Sequence, residues 1–95
     1  MTKLSNKQNL YTVNSDFILQ ESSNKILIFD ADSSYLYTLN ETASFIFTLL
    51  KKQLSFDRIV RSVTEEYSVE KEQAEKDIRQ IIDNLLHKKI IAKEK

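Results

Sequence analysis

The 95-residue chain carries 14 basic and 14 acidic side chains, so its formal charge is zero and nothing in the overall balance draws it to nucleic acid or an anionic membrane. It contains no cysteine, glycine or proline, which removes disulfides, thiolate chemistry, cysteine zinc sites and glycine-rich phosphate loops together. The length suits a single domain over residues 1–95, and any left-handed backbone position should fall to Asn, Asp or Ser.

Residues 1–9 are polar and aperiodic and read as a mobile arm. The opening MTKLSNKQNL lacks the apolar run of a secretion signal, and no stretch approaches the roughly 18 continuous apolar residues of a membrane span, so a soluble, cytoplasmic protein is expected. Tyr11 and Val13 alternate, residues 14–16 break the run, and Phe17-Ile18-Leu19 resumes it, placing the first strand at about 17–21 with an earlier start possible. The turn-forming run Glu21-Ser22-Ser23-Asn24 leads into Lys25–Phe29, KILIF, a nearly all-apolar central strand. Asp30–Ser34 reverses the chain into a third strand, Tyr35–Leu39, with Tyr35, Tyr37 and Leu39 on one side and Leu36 and Thr38 on the other.

At Asn40 the period changes from two to 3.6. Ala43, Ile46, Phe47 and Leu50 form one helical stripe, and Asn40 is the natural cap of its first turn. Ser55 should cap a second helix with Phe56, Ile59, Val60, Val63 and Tyr67 on its apolar face. Ser68 is assigned as the cap of a third helix with Ala74, Ile78, Ile81, Ile82, Leu85 and Leu86 inward. Ile90-Ile91 should then tuck into the core or pair briefly before residues 92–95 fray. The expected class is α+β: a three-stranded antiparallel sheet followed by three helices, in a winged helix-turn-helix-like arrangement.

No catalytic constellation emerges. His87 ends an amphipathic helix among lysines and reads as a cation at the helix C-terminus; the pairs Glu65–Glu66 and Glu70–Glu72 read as solvated helix ends. No cofactor or metal is implied. A helix-turn-helix raises the possibility of a DNA-binding regulator, yet residues 70–89 hold almost as many carboxylates as cations, so nucleic acid is not the expected partner. If strand order follows the chain, the strand at 35–39 is a sheet edge that neither Lys nor Pro guards. It could accept an extended peptide as a fourth strand, or pair with itself in a dimerising scaffold.

Several of these residues resemble a known family. The apolar strand Ile26–Phe29, the aromatic strand ending in Leu39-Asn40, Ala43 with Ile46-Phe47, then Ile59, Tyr67, Asp77-Ile78, Leu85 and the closing Ile90-Ile91 are similar to the PqqD-like leader-peptide-recognition proteins. These are typified by the peptide chaperone of pyrroloquinoline quinone biosynthesis and are also called RiPP recognition elements. The family usually has glycine in the link after the first helix and near the closing apolar pair. This chain has Lys52-Gln53 and Lys89 there, positions that concern turn geometry.

The resemblance implies a non-catalytic accessory protein that binds the leader of a ribosomally made precursor peptide and presents it to a maturation enzyme, such as a protease, cyclase or radical enzyme. Free-standing members of lasso-peptide pathways belong here. The leader would lie along the backbone of Leu36, Tyr37 and Thr38, with Tyr35, Asp77, Ile78, Ile81 and Asn84 forming the pocket. Asp77, Ile81 and Asn84 share one flank of the last helix; Arg79, Ile82 and Leu86 on the other flank are the alternative lining, and Asp77 has a structural-anchor role as its own alternative.

Overall fold

The computed structural model describes residues 11–93, so the expectation of a mobile arm over residues 1–9 lies outside the described residues. Three strands, β2 (Phe17–Ser22), β3 (Lys25–Asp30) and β4 (Tyr35–Leu39), form the expected antiparallel meander in the order β2-β3-β4. The helices α1 (Glu41–Lys51), α2 (Phe56–Tyr67) and α3 (Lys71–His87) follow. The class is therefore α+β as expected, and the likeness to a winged helix-turn-helix is a loose one.

Strand register decides which side chains meet the helices. Leu19, Ile28 and Tyr37 are direct partners across the three strands, as are Ile26 and Leu39. Ile26 and Ile28 are buried, so this side is the core face. The period-two alternation sends Ile18, Phe29 and Leu36 to the opposite face as one transverse, solvent-exposed row. The core is completed by Ile46, Phe47, Leu49 and Leu50 of α1, Ile59, Val60 and Val63 of α2, and Ala74, Ile78, Ile82 and Leu85 of α3.

Two caps form as the sequence indicates: the Asn40 side chain accepts the Ala43 N–H at 2.8 Å, and Ser55 Oγ accepts the Arg58 N–H at 3.3 Å. A third does not. Ser68 terminates α2 in the left-handed conformation (φ 55°), and α3 starts from Glu70 without a side-chain cap. In a chain with no glycine, something has to take the left-handed position that ends α2, and Ser68 is used for that.

The chain ends also differ from expectation. Tyr11–Val13 is a separate strand, β1, which pairs antiparallel with β5 (Ile91–Lys93) in a second, two-stranded sheet. Ala92 and Lys93, expected to fray, are therefore part of a ladder. Asn14 fixes the junction: its N–H donates to the Ile90 carbonyl at 2.8 Å and its side-chain amide to the Lys89 carbonyl at 3.1 Å. Ile90 and Ile91 are both buried, so the closing pair tucks inward, and Ile91 also pairs with Val13 in the ladder.

Candidate functional site

β4 pairs with β3 on one side only. On its other side, among the described residues, no strand is hydrogen-bonded to it. Because antiparallel strands turn alternate residues toward and away from a given neighbour, part of the β4 backbone presents N–H and C=O groups to this free edge.

Beside that edge runs a cleft of about 180 Å³. One wall is Tyr37, Thr38 and Leu39 of β4; the other is Ile81, Asn84, Leu85 and Lys88 at the C-terminal half of α3 and its cap; Ala43 and Ile90 complete the lining. The cleft is smaller than the roughly 300–1,000 Å³ typical of sites that enclose a whole small ligand, and its size suits a side chain or two of an extended chain. Larger concavities lie elsewhere, for instance one of about 450 Å³ between Val60 of α2 and Val69, bordered by Asp57, Arg61 and Lys71. We place the site at the smaller cleft because it adjoins free backbone and has an apolar floor.

Its electrostatics are simple. No carboxylate lines the cleft, and its single charged residue is Lys88. The Lys88 Nζ lies 5.7 Å from the centre of the Tyr37 ring, so the ammonium reaches from the end of α3 to β4. Tyr35, 63 % exposed, stacks on Tyr37 with ring centres 5.8 Å apart and extends the aromatic surface along the strand.

The candidate residues do not all converge. Tyr37, Thr38, Ile81 and Asn84 come together in the cleft. Tyr35 adjoins it through Tyr37. Leu36 belongs to the same strand, but its side chain stands on the outer face of the sheet. Asp77 lies one helical turn before Ile81, accepts a hydrogen bond from Gln73 Nε2 at 2.9 Å and is not part of the lining. Ile78 is fully buried in the core. The other flank of α3 faces away, with Arg79, Ile82 and Leu86 bordering a concavity shared with Tyr11 and Phe56. Sequence reasoning missed Leu39, Ala43, Leu85, Lys88 and Ile90 as lining residues. The signal for Lys88 was present, since it continues the series Asp77, Ile81, Asn84 by one more turn.

Among the described residues no group of three or more His, Cys, Asp or Glu side chains is placed to hold a metal ion, and no helix is long and apolar enough to cross a membrane.

The family model for coenzyme PQQ synthesis protein D (PqqD) matches residues 25–91. The chain belongs to the PqqD family. The matched segment runs from the start of β3 to the start of β5, so it contains both walls of the cleft, while β1 and β2 lie outside it. Two solved structures share the fold of this PqqD-family chain. One is described as TbiB1 in complex with the TbiA(beta) leader peptide, with a TM-score of 0.78, 20 % identity and coverage of 84 % of this chain and 93 % of that one. The other is described as lasso peptide synthetase B1 complexed with the leader peptide, with a TM-score of 0.80, 23 % identity and coverage of 86 % and 96 %. No curated protein sequence matches the chain.

Proposed function

We propose that this protein binds the leader segment of a ribosomally synthesised precursor peptide and presents it to a modifying enzyme. The leader adds as a fourth strand to the free edge of β4, and side chains on its helix-facing side enter the cleft between β4 and α3. The observation that carries this reading is the coincidence of two features: a strand edge that no strand pairs among the described residues and, beside it, an apolar cleft closed by α3. Backbone hydrogen bonding supplies affinity for any extended chain, and the cleft supplies selection among chains. The two solved proteins with this fold are described as complexes with leader peptides, which supports the same reading.

The protein itself is non-catalytic in this scheme. It works in the cytoplasm, where a ribosomal product is released, and its second partner is the maturation enzyme. Ordering a flexible leader offsets much of the contact energy, so affinity falls between about micromolar and nanomolar. Titrating the precursor leader into isotopically labelled protein tests the proposal. Amide resonances of residues 35–39 and of Ile81, Asn84, Leu85 and Lys88 should shift together; a saturating leader that leaves β4 unmoved would sink it.

A further inference from the structure

We infer that the cleft selects a guest strand carrying an acidic side chain two residues from the apolar side chain it buries, and that Lys88 makes this selection. The inference rests on the strand-addition reading and adds the chemistry of the segment that is bound.

Lys88 is the one charged residue of the lining, and the ion pair formed within 4.0 Å among the described residues, Lys51 with Glu21, does not involve it. Its ammonium is held over the Tyr37 ring at 5.7 Å. A guest strand lying on β4 covers that ammonium and strips part of its water. A ring face compensates a desolvated cation less well than a carboxylate does, because a carboxylate adds a full opposite charge and a directed N–H···O bond. A guest Asp or Glu therefore gains at this position. A guest Lys or Arg meets a like charge with no lining carboxylate to relieve it.

The acid of the neighbouring helix turn does not reverse this sign. Ala43 brings the first turn of α1 to the cleft, while Glu41 of that turn borders a different concavity with Glu21 and Glu66. The partial positive charge of the α1 N-terminus acts in the same direction as Lys88 and opposes the partial negative charge of the α3 C-terminus, whose Asn84, Leu85 and Leu86 carbonyls are already taken by the Lys88, Ile90 and Lys89 N–H groups; the full charge on Lys88 therefore sets the sign.

Strand geometry sets the spacing. Tyr37 and Leu39 lie two apart on the helix-facing side of β4, with Lys88 over Tyr37. Guest residues opposite them are also two apart, about 7 Å along the strand. One sits under Lys88 and the other reaches the apolar part formed by Leu39, Ala43, Ile81 and Leu85.

Selection of a displayed library of random peptides on the full chain and on its Lys88→Gln, Lys88→Glu and Lys88→Arg variants tests this. The wild-type and Lys88→Arg proteins should enrich Asp or Glu two residues from an apolar residue, and Lys88→Glu should enrich Lys or Arg there instead. A peptide selected on the wild type should lose about tenfold in affinity on Lys88→Gln. Replacing its acid by the amide should cost about the same on the wild type and almost nothing on Lys88→Gln. Lys88 is exposed, and unchanged thermal midpoints would confirm intact folds. Peptides that shift the amides of residues 35–39 yet show no acidic preference and bind Lys88→Glu equally would overturn the inference and leave strand addition standing. Selected peptides that never move those amides would overturn strand addition, and the inference with it.

Discussion

The Ser44 hydroxyl accepts the Ile26 N–H at 2.9 Å, and the same oxygen donates to the Leu39 carbonyl at 3.1 Å. One buried side chain of α1 thereby satisfies the start of β3 and the end of β4, pinning the helix to the strand that borders the cleft. Ser44→Ala leaves a donor and an acceptor unpaired at a buried position. We expect a loss of about 1–3 kcal/mol, or roughly 4–8 °C in Tm for each kcal/mol in a domain of this size. Chemical denaturation checks it, and an unchanged midpoint would mean that water or a backbone shift replaces the hydroxyl.

The absence of glycine has a measurable consequence. Ser23, Ser34, Gln53, Ser68 and Lys89 all adopt positive φ between 55° and 64°. Serines at three of these positions fit the expectation from composition; Gln53 and Lys89 do not. Their Cβ atoms oppose the left-handed conformation at about 1–2 kcal/mol, part of which glycine gives back as unfolded-chain entropy. Gln53→Gly and Lys89→Gly should therefore each raise stability by about 0.5–1 kcal/mol. Urea unfolding of the two variants decides the matter, a loss of stability being the contrary result.

Alkaline pH should weaken the fold through two tyrosines. Burial raises the Tyr11 phenol above its ordinary value of 10.0, and the nearby Asp83 carboxylate adds to the rise. Tyr67 is raised by burial first and by Glu41 and Glu66, against a hydrogen bond with Thr42 that lowers it. A raised folded-state value means that the native protein holds these protons more tightly than the unfolded chain. Their contribution is complete below 10.0 and is lost as pH climbs through the higher folded values. Denaturation midpoints followed upward from about pH 9 should fall for the wild type and fall less steeply for Tyr11→Phe and Tyr67→Phe. Parallel curves would dissociate the tyrosines from the effect.

Local chemistry made much of this fold legible. The Leu39-Asn40 joint, where period two gives way to period 3.6, places β4, its cap and α1 from the residue types alone, because the Asn40 cap involves only its own neighbours. Ser68 misled for a reason outside local pattern: the residue types that cap a helix N-terminus also tolerate the left-handed exit from the previous helix, and here the exit won. The ladder of Tyr11–Val13 with Ile91–Lys93 joins segments about eighty residues apart, and no window of the sequence contains both. The candidate site divides in the same way. The family resemblance points to Tyr37, Ile81 and Asn84, and helix periodicity only puts Ile81 and Asn84 on one of two open flanks, whereas the approach of Lys88 to Tyr37 depends on how α3 crosses the sheet.

Filling the cleft should separate side-chain recognition from backbone recognition. Ala43 lines it from the first turn of α1 and is half-buried, and leucine is a good helix former. Ala43→Leu therefore projects an isobutyl group into space the guest side chain needs, with little change in the fold. Leader affinity should fall by about tenfold or more, that is at least ~1.4 kcal/mol. Leu36→Thr makes the matching control. Its side chain stands on the outer face at 58 % exposure, so if residue 36 serves only through its backbone, affinity should stay within about threefold. Calorimetric titration of the two variants with one leader peptide gives both numbers. A Leu36→Thr protein that loses as much as Ala43→Leu would move the recognition surface from the cleft to the outer row of Ile18, Phe29 and Leu36.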